Sequence, residues 1–413
     1  MNIRERAENL LRCLFAALLV LVCSCSSGPD EQLSITPLKS PAGDGAGEPN
    51  LFASIDGHTY LSWIEPVDGG HALRFSERED GGWAPAKTVA EGENWFVNWA
   101  DFPSLVRLPN GTLAAHWLQK SGDDTYAYDV VVSRSIDNGA AWTRPLIPHT
   151  DGTQTEHGFV SMLPWSEGDV LIVWLDGRNF AASGGEGDDH GGGKNMTLRS
   201  AILDESGELR NETVLDERTC DCCPTSAALT ANGAIVAYRD RSENEVRDIS
   251  VVRFESGAWS SPATICDDRW AVAGCPVNGP ELDASGDRVV CAWFTNADND
   301  ASARVAFSSN GGRSWGAPID IDDGDPLGRV DVVLLDDGSA LVSWLEIALE
   351  EAEVRVRRVY ADGRIDPAIV ASPTSKERAS GFPRMVANGD EIVFAWTEVD
   401  EPSHVRTAVM SQR

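Results

Sequence analysis

The chain has 413 residues, of which 65 are acidic and 34 basic, and its formal net charge is −31. Acidic residues occur along the whole chain, so it would repel a phosphate backbone or an anionic membrane surface, and we expect no nucleic-acid partner. No apolar run after the first 25 residues approaches the roughly 20 residues that span a bilayer, so no transmembrane helix is expected in the mature chain.

Residues 1–25 have the three-part layout of a secretory signal, with basic residues followed by the apolar run 14–22 and then Cys23, Ser24 and Cys25. The small Ser24 before Cys25 resembles the bacterial lipobox, which implies lipidation of Cys25 and an export route to the cell envelope, at the outer membrane or in the periplasm. The membrane would then be contacted only through this anchor. An ordinary cleaved signal is the alternative. Residues 26–32 are predicted to form a polar linker.

The remaining residues, 33–413, repeat one unit seven times. An aromatic residue closes a short apolar strand in each unit, at intervals of 51 to 64 residues. A period near 50 residues is typical of propellers and repeat arrays. The seven aromatic positions are Trp63, Trp117, Trp174, Tyr238, Trp293, Trp344 and Trp396.

The second unit shows the strand pattern most clearly. Strands are predicted at 102–108, 112–118 and 128–134, and a fourth begins at Trp142 to Pro145 after a turn. Four strands per unit predict an all-β fold, a β-propeller of four-stranded blades, with seven blades. The last unit supplies only three strands, so Leu33 to Leu38 is expected to complete it and close the ring.

Two third-to-fourth-strand turns carry one motif. Residues 135–142 read Ser-x-Asp-x-Gly-x-x-Trp, and residues 308–315 repeat it with Asn310 in the Asp position. This motif resembles the Asp-box of the sialidase (neuraminidase) superfamily, also described as the BNR repeat, whose six-bladed propellers make six the alternative blade number. The Asp-box side chains are expected to stabilise the turn, away from any ligand site: Ser135, Asp137, Gly139, Trp142, Ser308, Asn310, Gly312 and Trp315.

Ligand chemistry is expected at the opposite face, where the loops before each first strand and after each second strand converge. Arginine binds carboxylates bidentately, so the arginines of these loops are candidates for binding an acidic sugar. The residues predicted on this ligand face are Asp101, His157, Asp176, Arg178, Arg239, Asp240 and Arg384.

The resemblance implies an exo-acting glycoside hydrolase on sialylated or other glycans, with a tyrosine nucleophile paired with a glutamate and no required cofactor. The family's Arg-Ile-Pro triplet is missing, and no glutamate partner for Tyr128 is identifiable. The alternative is a non-catalytic propeller that binds a glycan, another polar extracellular ligand or a metal. The catalytic candidates are Asp101, Tyr128, Arg178, Arg239 and Arg384.

Six cysteines remain after the signal, and four of them stand just before first strands, so we expect these four at the mouth of the ring. Export favours disulfides, with Cys223 bonded to Cys275 and Cys266 or Cys291 as further partners. The tight Cys-x-Cys-Cys spacing favours the alternative, a thiolate site for zinc or copper that could include His157. The six are Cys220, Cys222, Cys223, Cys266, Cys275 and Cys291.

One acidic, glycine-rich loop, 175–194, contains Gly184 to Asp189, which matches the start of a calcium-binding nonapeptide. Such motifs work in stacked series, so a loop over the pocket is the competing interpretation of this single copy.

Overall fold

The structure is a computed structural model that describes residues 34–181 and 195–412. The signal with Cys25, the linker and the glycine-rich 184–189 motif lie outside these residues. The described chain forms seven antiparallel sheets, one for each predicted unit, so seven blades are confirmed over six. No helix of the described residues is long and apolar enough to cross a membrane.

Blades one to six run outward from the axis in chain order, and the strands have the following bounds. Blades one to three contain β2 (Gly47–Ala53), β3 (Thr59–Val67), β4 (Gly70–Glu79), β5 (Gly82–Trp83), β6 (Lys87–Gly92), β7 (Ser104–Arg107), β8 (Leu113–Lys120), β9 (Tyr128–Ser135), β10 (His157–Pro164), β11 (Val170–Asp176), β12 (Met196–Leu203) and β13 (Leu209–Thr219). In blades one and four the outermost position is split between two short strands that pair with the same third strand.

Blades four to seven contain β14 (Ser226–Thr230), β15 (Gly233–Arg239), β16 (Ile249–Glu255), β17 (Ala258–Trp259), β18 (Ala263–Thr264), β19 (Glu281–Ser285), β20 (Arg288–Thr295), β21 (Ser302–Ser308), β22 (Ile319–Asp320), β23 (Pro326–Leu334), β24 (Ala340–Ala348), β25 (Glu351–Val359), β26 (Ile369–Thr374), β27 (Arg384–Asn388), β28 (Glu391–Glu398) and β29 (His404–Ser411). Within residues 34–181 and 195–412, helical structure is limited to one α-turn (Arg178–Ala181) and two 3-10 turns (Ala297–Asn299 and Arg378–Ser380).

The fourth strand of the second blade is the one predicted strand that does not form. Its sheet has three strands, and the fourth segment contributes one isolated bridge, between Val132 and Leu146. Pro145 and Pro148 flank Leu146 and have no amide proton to donate, so a continuous ladder cannot extend through this segment.

The hydrophobic core lies between neighbouring blades. The aromatic residue that closes each second strand is buried, and Trp63, Trp174, Trp293 and Trp344 are at most 1% exposed. Tyr238, which occupies the same position in blade four, is likewise buried in the core. The apolar repeat therefore reflects the packing of one blade on the next.

Side-chain hydrogen bonds within residues 135–142 and 308–315 stabilise these two turns. Asp137 accepts hydrogen bonds from the Ser135 hydroxyl (2.8 Å) and the Ala141 amide (2.9 Å). Gly139 has a positive φ of 80°, and a Cβ atom there would lie 2.3 Å from the ring of Phe75 in the first blade. Asn310 accepts the Ser314 amide in the second copy, at 2.9 Å.

Neighbouring blades are also joined by side chains at the axis. Asp101 accepts the Phe159 amide of the third blade at 2.7 Å, and Asp331 accepts the Met385 amide of the seventh at 2.6 Å. A cavity of about 530 Å³ lies along the axis and is lined by the first strands of all seven blades. The side chains that line this cavity therefore hold the ring together.

The ring closes through the N-terminal strand, as predicted. β1 (Ile35–Leu38) pairs antiparallel with β29, with Ile35 opposite Met410 and Leu38 opposite Thr407. The last blade therefore consists of three C-terminal strands and one N-terminal strand.

We expect a chain that starts at Lys39 to be less stable by about 3 kcal/mol than one that starts at Ser34, because β29 loses its partner strand. Urea unfolding of the two truncated chains measures the difference. Equal free energies of unfolding would show that β1 does not close the ring.

Candidate functional site

The structure places four cysteines at the mouth of the ring, in two loops that each lead into a first strand. Cys220, Cys222 and Cys223 lie between β13 and β14, and Cys275 lies in the loop before β19. The Cys220 sulfur is 3.8 Å from that of Cys222 and 3.4 Å from that of Cys223. Cys220 and Cys223 are buried, whereas Cys275 is exposed.

A buried arginine compensates the negative charge of this cluster. Arg247 donates from Nη1 to the Cys220 sulfur and to Asp221, both at 3.2 Å, and from Nη2 to Glu245 at 2.9 Å. Burial alone would raise the pKa of Cys220, but hydrogen bonds from Cys222 and Cys223 and the Arg247 charge bring it well below the usual value of a thiol. These contacts favour the thiolate form of Cys220, whereas burial raises the pKa values of Cys222 and Cys223.

The two cysteine loops touch through their backbones. A Cβ atom at Gly279 would lie 2.1 Å from the carbonyl oxygen of Pro224, so only glycine permits this approach. Arg239 fixes the same region by donating to the carbonyl of Asn278 at 2.8 Å. The positions of Cys222 and Cys275 are thus set by rigid contacts between blades four and five.

The structure has no disulfide between Cys223 and Cys275, because all six cysteines of the described residues are free thiols. The sulfur separations around Cys220 also exceed the bond length of about 2.05 Å in a disulfide. Cys266 and Cys291 belong to the core between blades four and five, and burial raises the pKa of Cys266 to about 12.

Tyr128 has the glutamate partner that the sequence did not reveal. Its hydroxyl lies 2.8 Å from Glu156 and 3.1 Å from Asp101. A hydroxyl can donate only one proton, so one of the two carboxyl groups must be protonated and donate in turn. Burial raises the pKa of Glu156 well above its usual value and that of Asp101 to about 7, so both carboxyl groups hold a proton more readily than they would in water.

The phenol of the Tyr128, Glu156 and Asp101 group is shielded from solvent. Tyr128 is completely buried, and its ring is stacked on Phe96 at a centroid distance of 3.9 Å. Asp101 is 3% exposed. In this conformation the phenol oxygen cannot reach the anomeric carbon of a sugar.

Replacing Asp101 with asparagine should have an effect that depends on pH. Folding raises the pKa of this carboxyl from about 3.8 to about 7, so the folded state retains a proton that the unfolded state has lost. The contribution of the Asp101 carboxyl to the stability of the wild-type protein therefore falls as pH rises from 4 to 7. The free energy of unfolding of Asp101→Asn, measured with urea relative to that of wild type, should therefore rise by about 3 kcal/mol between pH 5 and pH 8.

Asp137→Asn is the matched control for that measurement. The pKa of Asp137 is lowered by the Ala141 amide, so its charge is constant over this range. The difference in free energy of unfolding between Asp137→Asn and wild type should be the same at pH 5 and pH 8. If the difference for Asp101→Asn is also constant, Asp101 is not the buried acid described above.

His157 belongs to a paired network. Its ring is stacked on His149 at 3.8 Å, and Asp151 bridges the two rings at 3.3 Å from His157 and 3.1 Å from His149. Burial would lower the pKa of His157, but Asp151 and Asp176 raise it. Arg178 is paired with Asp176 at 2.7 Å. Asp151 is therefore the common partner of both imidazole rings in this network.

The three candidate arginines do not converge on one point. Arg178 is paired with Asp176 and Glu212. Arg239 donates to three backbone carbonyls, and Arg384 lines the axial cavity, where it is paired with Glu281 and is 3.6 Å from Asp331. Because each guanidinium is already paired inside the protein, the three do not form a carboxylate-binding triad.

The acidic residues after the second strands also have internal partners. Asp176 accepts the indole N–H of Trp174 at 2.8 Å, and Glu346 accepts that of Trp344 at 2.6 Å. Asp240 accepts the Ser250 hydroxyl at 3.1 Å, and burial raises its pKa to about 6. A sequence signal for this role exists, because an acidic residue follows the repeat tryptophan two positions later in several blades.

No protein-family model and no curated protein matches the sequence. Among solved structures, the chain is similar to the α-L-arabinofuranosidase Arb93A of Fusarium graminearum at 12% identity, covering 92% of this chain and 97% of that one with a TM-score of 0.49. It is also similar to a mutant of the NanB sialidase of Streptococcus pneumoniae (10% identity, 92% and 94% covered, TM-score 0.47).

The sialidase of Trypanosoma rangeli is a third similar structure, with 11% identity, 81% and 56% covered and a TM-score of 0.47. At these values the similarity assigns no role to any residue of this chain. The blade number and the topology are taken from the structure of this chain and not from these similarities.

Proposed function

We propose that this chain is a seven-bladed propeller that binds a soft metal ion, Cu(I) or Zn²⁺, through cysteine sulfurs at the mouth of the ring. The observation that carries the proposal is the position of the Cys220 sulfur, 3.8 Å from that of Cys222 and 3.4 Å from that of Cys223. Their ligand atoms all lie within 4.8 Å of one another.

These separations are compatible with three sulfurs that bind one metal ion. Sulfurs bound to one zinc ion at about 2.3 Å in tetrahedral geometry are about 3.8 Å apart. Thiolates are also the ligands that select Cu(I) and zinc over harder ions. A metal would replace the protons of Cys222 and Cys223 and would need little movement of the sulfurs.

The surrounding charges support cation capture. Arg247 offsets part of the charge of a multi-thiolate site, and the net charge of −31 attracts cations to the protein. We place the site in the cell envelope because the N-terminal residues match a signal with Cys25 as the lipidated residue. Disulfide formation competes with metal binding in that compartment.

Differential alkylation followed by mass spectrometry tests the proposal. Alkylation of Cys220, Cys222, Cys223 and Cys275 should be blocked when Cu(I) or zinc is added under anaerobic conditions. Cys266, which packs on the core between blades four and five and belongs to neither group of ligands, serves as the internal control and should react equally with and without metal. Isolation of the six cysteines as three disulfides, or unchanged alkylation after adding metal, would contradict the proposal.

Hydrolysis of a glycan is a second candidate, favoured by the Tyr128, Glu156 and Asp101 group. A tyrosine paired with a glutamate and accompanied by an acid is the set of groups that the sialidase resemblance implies. The solved structures similar to this chain include glycan-active enzymes by their names. We rank this candidate second because the phenol is buried and the three candidate arginines, Arg178, Arg239 and Arg384, already have partners within the protein.

Released sugar from a panel of sialylated and neutral glycans tests this candidate. If the protein is a hydrolase, turnover should be lost in Tyr128→Phe, which preserves the stacking on Phe96. Absence of turnover on every glycan by folded wild-type protein would eliminate hydrolysis and leave metal binding unaffected.

A further inference from the structure

The mouth contains two three-ligand sets that share Cys222. The first is Cys220, Cys222 and Cys223, and the second is Asp221, Cys222 and Cys275. Within each set the ligand atoms lie within 4.8 Å of one another. The Cys275 sulfur is 3.9 Å from Asp221 Oδ1.

The geometry points to two ions rather than one. Two atoms bound to one ion at about 2.3 Å can be at most about 4.6 Å apart, so one ion binds only atoms of a tight group. Cys275 and Asp221 form such a group with Cys222, and Cys220 and Cys223 form a separate one with the same sulfur. A thiolate sulfur has enough lone pairs to bridge two metal ions.

The two sets differ in chemistry and in exposure. The first set is all sulfur, with two of its three cysteines buried, and Arg247 donates a hydrogen bond to the Cys220 sulfur. Closed zinc sites have four ligands, so a three-sulfur set next to an arginine favours Cu(I). The second set combines an exposed thiol with a carboxylate, which weakens its preference for a soft ion.

We infer that the mouth binds two Cu(I) ions bridged by the Cys222 sulfur, an inner ion held tightly by Cys220 and Cys223 and an outer, exchangeable ion held by Cys275 and Asp221. This inference rests on the proposed function. The outer site faces solvent through Cys275 and is therefore where copper enters and leaves, while the inner site retains it. The close contact of Gly279 with Pro224 holds the two sets together.

An anaerobic titration of the folded mature protein with Cu(I), against a chromophoric Cu(I) chelator, tests the inference. Wild type should bind two copper ions per chain in two phases of different affinity. Cys275→Ser should bind one ion and retain the tight phase, whereas Cys223→Ser should lose the tight phase. Cys266→Ser is the matched control and should still bind two ions.

The outcomes separate the inference from the proposed function. One ion per wild-type chain, or two ions in Cys275→Ser, would overturn the two-ion arrangement and leave thiolate metal binding in place. No copper bound by reduced, folded wild type would overturn both. Circular dichroism and a thermal melt of each apo variant establish that it is folded before the titration.

Discussion

Replacing Cys220, Cys222 and Cys223 together with serine should abolish tight metal binding and the thermal stabilisation that the metal would give. The binding free energy of a structural thiolate site is about 10–16 kcal/mol, and serine hydroxyls provide almost none of it to a soft ion. A metal at a hundred times its Kd stabilises the folded state by about 2.7 kcal/mol, so wild type should gain that much or more. Calorimetry with and without Cu(I) measures both effects.

Cys266→Ser is the control, since it also removes one thiol but lies in the core between blades four and five. It should retain binding and the metal-dependent rise in melting temperature. If the triple variant is folded and binds metal as tightly as wild type, the sulfurs around Cys220 are not the ligands.

Arg239→Ala destabilises the propeller by about 4 kcal/mol. Arg239 donates to the carbonyls of Asn278, Arg247 and Phe294 at 2.6 to 2.8 Å, and its guanidinium lies 4.7 Å from the centre of the Trp270 ring. Alanine leaves three buried acceptors without donors, each at a cost of about 1–3 kcal/mol. Urea unfolding should show a lower midpoint with an unchanged m-value.

Two further variants test whether the loss of stability comes from the hydrogen bonds of the buried Arg239 guanidinium. Arg239→Lys keeps the charge but cannot reach three acceptors at once, so most of the loss should persist. Arg288 is exposed and donates to one carbonyl, that of Asp336, so Arg288→Ala should change stability by less than about 0.5 kcal/mol. Wild-type stability in Arg239→Ala combined with lost binding of an acidic sugar would instead make Arg239 a ligand-binding residue.

Repeated local signals made the propeller predictable from the sequence. The aromatic residue of each second strand recurs because each blade packs on the next, and Trp63 and Trp344 show this burial directly. Ring closure by β1 followed from counting strands in the last unit. The missing strand after Trp142 shows the limit of that count, because prolines around Leu146 prevent a ladder.

The site was only partly predictable. Local sequence placed the cysteines at the mouth correctly, since loop position follows from strand order. It did not reveal that Glu156 reaches Tyr128, because Tyr128 begins a strand of blade two whereas Glu156 immediately precedes the first strand of blade three. It also suggested free arginines where Arg239 binds backbone carbonyls, which leave no trace in a sequence. Partners from neighbouring blades therefore decide which polar residues at the mouth are available to a ligand.

X-ray absorption at the copper edge of the Cu(I)-loaded mature protein tests the central claim most directly. The proposal predicts a first shell in which sulfur predominates, and a loss of sulfur neighbours in the triple cysteine variant. A first shell of nitrogen and oxygen only, in protein that retains six reduced cysteines, would contradict a thiolate metal site at the mouth of this propeller.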